Sequence, residues 1–271
     1  MDPLFRNLKA IIPIAGLGTR LLPLTKVIPK AMLPVAGKPC VQWIIEELSV
    51  AGVTDVIFVY SKGQEMVREY FAEKTWYDEE LARRGKIEEA KKLEAIRNLA
   101  KFQFVEQKDL LGDGHAILQA RTMISQDEPF LVILGDCLYH GDQPVKKLVD
   151  AHEETGSSIV AVQKIPAVEA KNYGIAEIKD NTITALIEKP SYPYKQANSY
   201  NLALIGRYLL TPEIWPHLEL CLKKSGEARL IDALQSLIQQ EPVLAVELSG
   251  VWLDSGTQEG LAQANSVLGS F

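Results

Sequence analysis

No stretch of about 18 consecutive apolar residues, the length a membrane-spanning helix needs, occurs in this chain. The opening residues, "MDPLFRNLKA", hold no apolar core of the length a secretory signal uses. Both absences lead to the expectation of a soluble, cytoplasmic protein. Cysteine is scarce: Cys40, Cys137 and Cys221 are odd in number, far apart and without a CxxC pair. That argues against a disulfide framework or a cysteine zinc site. The four histidines, His115, His140, His152 and His217, show no metal-ligand spacing. A net basic charge is missing too. At −6 over 271 residues, no nucleic acid and no anionic membrane is expected as a general partner, so any phosphate must meet a local basic cluster. No internal repeat, low-complexity tract or linker divides the chain.

What is present is an ordinary globular share of hydrophobic residues, 47%, laid out in alternating strand and helix patterns. "LKAIIPIA" is a short, nearly continuous apolar run, as expected of a strand buried on both faces. Pro39 opens a helix through "VQWIIEELSVAG", where Val41, Ile44, Ile45 and Leu48 recur at helical spacing and Gly52 ends it. Strand "DVIFVY", a helix from about Gln64 to Phe71, strand "FQFVEQ", a helix after Gly114 and strand "FLVILGD" follow. This rhythm predicts an α/β fold: a Rossmann-like, mostly parallel or mixed central sheet flanked by helices and open to ligands at its strand C-termini. Residues 75–100 are charge-rich and helix-favouring with sparse apolar contacts, which reads as an exposed helical insertion. Beyond Gly156, "SSIVAVQKI", "YGIAEIKDNTITALIEKP" and "SYNLALIGRYLL" are rich in β-branched residues, with a turn at Asp180-Asn181. Helices at about 211–221 and 228–240, strand "VLAVEL" and a last helix near 258–268 complete the pattern.

The stretch "AGLGTRLLPLTKVIPKAMLP", residues 15–34, carries the chemistry. A dinucleotide fold wants G-x-G-x-x-G opening a helix, and an acid after the second strand. Here the third glycine is absent, Leu22-Pro23 blocks an immediate helix, and the second strand ends "VYSKG". A Walker loop fails as well, for want of G-K-[ST]. What remains is a glycine loop whose backbone amides can bend around phosphates, with Arg20, Lys26 and Lys30 adding full positive charges.

"GLGTR", with the lysine of "PKAMLP" ten residues later and "GKP" beyond, resembles the signature of sugar-1-phosphate nucleotidyltransferases. Gln107 with "LGDGHA", "LGD" ending at Asp136, "NYGIAEI", "EKP" at 188–190, "NLALIGRYLL" and "WLDSGT" follow in that family's order, so the resemblance spans nearly the whole chain. It implies the family's GT-A-like nucleotidyltransferase fold as one domain over 1–271. The nucleotide-binding half would cover about 1–140 and the sugar-binding half about 141–271, with the helical insertion at about 75–100. Arg20 and Lys30 would grip and activate a nucleoside triphosphate. Ala15, Gly16, Gly18, Thr19, Lys26, Gln107 and Gly112 would complete the nucleotide site. Asp136 and Asp254 would share a Mg²⁺ ion, and Gly174, Glu188, Lys189 and Asn201 would meet the sugar phosphate. His115 is expected to support the site rather than act as a base.

The implied reaction is attack by a sugar 1-phosphate on the α-phosphate of the triphosphate, with Arg20, Lys30, Asp136 and Lys189 as the catalytic set. The branch most similar is the bacterial UTP–glucose-1-phosphate uridylyltransferases, which implies UTP and glucose 1-phosphate as substrates and a homo-oligomer, dimer or tetramer. This chain departs from that branch at Ala31, where its members carry glutamate, and at "WLDSGT", where they are closer to D-C-G. The latter is similar to the thymidylyl and guanylyl branches and keeps dTTP and GTP in view. A nucleotide-sugar sensor without catalysis would be expected to lose Arg20, Lys30, Asp136 or Asp254, and all four are present.

Overall fold

The structure, a computed structural model, describes residues 8–191 and 200–270. At its centre is a nine-stranded sheet. Its first half consists of β1 (Lys9–Pro13), β4 (Asp55–Tyr60), β5 (Lys101–Glu106) and β6 (Phe130–Ile133), all parallel, in the order β5-β4-β1-β6. The sheet continues through β11 (Tyr200–Leu210), antiparallel to β6, then β8 (Ser158–Pro166), β12 (Val243–Glu247), β10 (Thr182–Glu188) and β9 (Gly174–Lys179). β12 runs parallel to β8 and the other pairs in this half are antiparallel, so the sheet is mixed, as expected.

The apolar runs are explained by burial on both faces. Successive residues of a strand point to opposite sides. Ala10 and Ile12 of β1 enter one core while Ile11 enters the other, and Val56 and Phe58 alternate in the same way with Ile57 and Val59. The first core is covered by α1 (Cys40–Val50), α2 (Met66–Phe71), α6 (Pro144–Thr155) and α9 (Gln258–Leu268). The second is covered by α5 (Asp113–Gln119), α7 (Ile214–Ser225) and α8 (Leu230–Leu237). The insertion forms α3 (Trp76–Arg83) and α4 (Ile87–Arg97), neither with a buried residue of its own. The β9–β10 turn falls at Asp180 and Asn181, with φ of 51° and 61°, the left-handed pair that a two-residue hairpin demands.

Three features lie outside the sequence expectations. Helix α6 was not among the expected elements, although Pro144 at its first turn is a start signal. A short hairpin joins β2 (Pro34–Val35) to β3 (Lys38–Pro39). A separate two-stranded ribbon pairs β7 (Cys137–His140) with β13 (Val251–Asp254), setting Cys137 opposite Asp254. That ribbon organises the site.

Candidate active site

The parallel strands end along one edge, and the loop after β1 crosses it. Its carbonyls are held by side chains: Ser61 Oγ donates to Ala15 O (2.9 Å), Gln64 Nε2 to Gly16 O (3.1 Å) and Thr25 Oγ1 to Gly18 O (2.9 Å). Beside this loop lies a compartment of about 460 Å³, whose walls include Ala15, Gly16, Gly18, Thr19, Lys30, Gln107, Gly112 and Asp136. Ala31 lines it too, nearly fully buried. A second compartment of about 330 Å³ is walled by Arg20, Gly174, Glu188, Lys189 and Asp254, among others. Gly112, Asp113, Leu134, Asp136 and Glu227 belong to both walls. The two compartments therefore meet at Asp136.

The carboxylates come together because β6 delivers Asp136 just before β7, and β13 delivers Asp254 opposite it. Lys30 Nζ forms an ion pair with Asp136 Oδ2, both side chains largely buried. A methyl group built on Gly256 would lie 2.7 Å from Asp254 Oδ1, 2.7 Å from Lys30 Nζ and 2.9 Å from Asp136 Oδ2. Three charges thus surround one point. Burial alone would raise the pKa of Asp136, but the Lys30 ammonium outweighs it and holds the carboxyl below its ordinary range. Asp254 moves the other way, raised by burial and by the charge of Asp136. Lys30 is raised despite burial, through the same pairing.

Among the described residues no group of three or more His, Cys, Asp or Glu gathers to hold a metal. Two carboxylates side by side are nevertheless a donor set that fits a hard divalent cation, which keeps waters and takes substrate phosphate oxygens as its other ligands. Gln107 is buried; its Nε2 donates to Gly112 O and to His115 Nδ1, both at 3.0 Å. His115 therefore holds Gln107 in place.

In the second compartment Lys189 adopts φ 42°, left-handed for a non-glycine residue, and its Nζ lies 2.9 Å from Glu188 Oε1. Strain of this kind gathers at sites where geometry outranks stability. Tyr173 and Trp252 stack edge to face, 4.6 Å between ring centroids. With Arg229 they line the wall, and none of the three was singled out from sequence. Tyr173 sits inside the "NYGIAEI" motif, so its signal was available. Burial pushes the Tyr173 hydroxyl up to about 12, so it stays neutral.

Two expected site residues stand apart. Lys26 is exposed in the turn Leu24–Lys26 and lines neither compartment, because that short 3₁₀ turn directs the loop outward. Asn201 is buried at the start of β11, off both walls, and neither polar atom of its side chain has a hydrogen-bond partner among the described residues.

Comparison with known proteins agrees with this architecture. The family model described as nucleotidyl transferase matches residues 9–270. A UTP–glucose-1-phosphate uridylyltransferase of Bacillus subtilis (strain 168) is 41% identical over 259 residues, covering 93% of this chain and 87% of that protein. One from Staphylococcus epidermidis is 39% identical over 263 residues, covering 94% and 90%. Among solved structures, a UTP-bound UGPase from Acinetobacter baumannii superposes with a TM-score of 0.87 at 27% identity, over 97% of this chain and 93% of that one. A UDP-glucose pyrophosphorylase complexed with UDP-glucose gives 0.83 at 32% identity, over 96% and 98%.

Proposed function

This chain belongs to the nucleotidyl transferase family, and from that premise we propose that it transfers the uridylyl group of UTP to glucose 1-phosphate, giving UDP-glucose and pyrophosphate. The observation that carries the reading is the pair of compartments joined at Asp136, one beside the glycine loop and one beside Glu188 and Lys189. The names of the relatives, a UTP–glucose-1-phosphate uridylyltransferase and a UDP-glucose pyrophosphorylase among them, support this choice of substrates.

In the first compartment the loop, its carbonyls tied back, would present amide groups to the triphosphate. Gln107, steadied by His115, would meet the base. In the second, Glu188 would accept hydrogen bonds from sugar hydroxyls, while Lys189 and Arg229 would neutralise the sugar phosphate. Arg20, expected from sequence at the triphosphate, lines this compartment instead and would add its charge there. An oxygen of that phosphate, already anionic near neutral pH, forms a bond to the α-phosphorus. The bond from the α-phosphorus to the bridging oxygen breaks, and its electron pair leaves with pyrophosphate. No proton need move, so no general base is required. Alignment of two anions is the main task, and well-oriented reactants lower such barriers by about 7–11 kcal/mol.

Asp136 and Asp254 would hold the divalent cation, Mg²⁺, which when bound supplies charge neutralisation on the phosphate oxygens. Lys30, exchanging Asp136 for phosphate oxygens, would add a further positive charge.

Pyrophosphate release from glucose 1-phosphate with Mg²⁺, compared across UTP, dTTP, GTP, ATP and CTP, tests this. A strong preference for UTP is expected. Preference for dTTP or GTP would move the chain to another branch of the family, and silence with every nucleotide would refute the reading.

A further inference from the structure

Ser255 follows Asp254 directly and reaches across to the other carboxylate. Its backbone N–H and its hydroxyl both donate to the carbonyl oxygen of Asp136, at 2.9 and 2.8 Å. With its single proton given to that carbonyl, the Ser255 oxygen can only accept from the Cys40 thiol, whose sulfur lies 3.0 Å away and whose one proton it shares with the Gly135 carbonyl at 3.6 Å. Cys40 is the fully buried first residue of α1. Burial pushes its thiol up to about 12, so it remains a donor at neutral pH. Ser255 is itself only 2% exposed. The rest of the motif is also occupied locally: Gly256 N–H donates to Asp254 Oδ1 at 2.8 Å, and Thr257 caps α9. Three separate segments, the start of α1, the β6–β7 junction and the end of β13, are thereby joined by one chain of hydrogen bonds.

We infer that Ser255 is a positioning residue: through the carbonyl of Asp136 it sets where that carboxylate stands relative to Asp254, and Cys40 sets Ser255. The assignment rests on the proposed role of the two carboxylates as cation ligands. Ser255 lines neither compartment. An alanine would keep the backbone bond to Asp136 but lose the hydroxyl bond and the contact with Cys40. The Asp136 peptide could then turn relative to Asp254, and misplacement on the scale of an ångström is costly for a reaction that depends on alignment.

The test compares wild type with Ser255→Ala and Ser255→Cys. Mn²⁺ affinity is read by electron paramagnetic resonance with and without UTP, and kcat and KM by pyrophosphate release. Ser255→Ala should weaken Mn²⁺ binding and lower kcat, each by roughly tenfold, as loss of a partner that orients a metal ligand does, with KM for glucose 1-phosphate little changed. The thiol of Ser255→Cys, a weaker donor of similar shape, should recover part of both losses. Unchanged Mn²⁺ affinity in Ser255→Ala would overturn the inference. So would losses that follow only the folded fraction in a urea titration and are not recovered by cysteine, which would make Ser255 merely structural. A wild type inactive with UTP and glucose 1-phosphate, yet losing Mn²⁺ affinity in Ser255→Ala, would defeat the proposed reaction while leaving the positioning role intact.

Discussion

Replacing Gly112 with alanine probes the wall that both compartments share. Gly112 has φ 96° and ψ 170°, a backbone region that is essentially glycine-only and costs another residue about 1–3 kcal/mol. An added Cβ would stand 2.4 Å from the Ala228 carbonyl oxygen, where carbon and oxygen normally keep about 3.3–3.6 Å. The loop would have to retreat by about 1 Å, stretching the hydrogen bonds that clasp it to the 226–230 segment. Among them are His115 N–H to Ala228 O at 3.1 Å and Ala228 N–H to Leu111 O at 2.8 Å, each with a net value of about 0.5–1.5 kcal/mol. A total loss of about 2–4 kcal/mol follows from strain and weakened bonds together, a large part of the ~5–15 kcal/mol typical of a folded domain. The same displacement moves the Gly112 carbonyl that receives Gln107, and a shift of that size can lower turnover by ~10²-fold. Urea unfolding followed by circular dichroism gives the first quantity, and pyrophosphate release at varied UTP gives the second. Gly85→Ala is the control. Gly85 also has a positive φ, 67°, but a Cβ there meets nothing within 4 Å, so it should cost only ~1–2 kcal/mol and leave kinetics alone. A Gly112→Ala protein no less stable than Gly85→Ala, with wild-type kinetics for UTP, would refute the reasoning.

Three further outcomes are expected. Arg207 is fully buried and bonds Glu47 through Nε at 2.9 Å and Nη2 at 2.5 Å, so Glu47→Ala should destabilise by about 3–5 kcal/mol in urea, because it strands a buried charge. A loss under ~1 kcal/mol would count against that view of the pair. In the insertion, burial pushes the Asp78 carboxyl up, but the Thr75 N–H and the Arg97 guanidinium outweigh it and hold it below the usual range. A depressed folded pKa contributes stability above the unfolded value, about 3.9, and loses it as pH falls through the lower folded value. The stability gap between wild type and Asp78→Asn should thus be full at neutral pH and close progressively below about pH 4; a gap independent of pH would be inconsistent with it. Finally, Asp136→Asn and Asp254→Asn should each lower turnover by roughly 10²–10³-fold, by analogy with the loss of one transition-state donor, with circular dichroism unchanged. Full activity in both would remove the shared cation site.

How legible the fold was depended on how each element is stabilised. Strands β1, β4 and β6 are buried on both faces, so their sequences are unbroken apolar runs with one reading. Asp180-Asn181 was legible because few residue pairs accept two successive left-handed conformations. "CLYH" and "VWLD" gave no such signal. Each is only four residues of mixed polarity, and what makes them strands is mutual pairing across a long stretch of chain. Helix α6 did carry a proline at its start, yet its apolar face is only Pro144, Val145, Leu148 and Val149 amid charged residues.

The candidate site divides on the same physical line. Motif order assigns residues to a site, but cannot say which side of a loop faces the cavity. Lys30 and Lys26 lie four apart on one basic loop; the first turns inward and the second is exposed. Nor could motif order reveal that Lys30 and Asp136, given separate roles toward triphosphate and cation, are each other's partner here. Burial favours that pairing, because the Lys30 ammonium is the main charge that keeps the buried Asp136 carboxyl ionised. The roles proposed for the two residues would give each a partner of its own, phosphate for Lys30 and the cation for Asp136. The ion pair keeps two largely buried charges compensated within the folded chain.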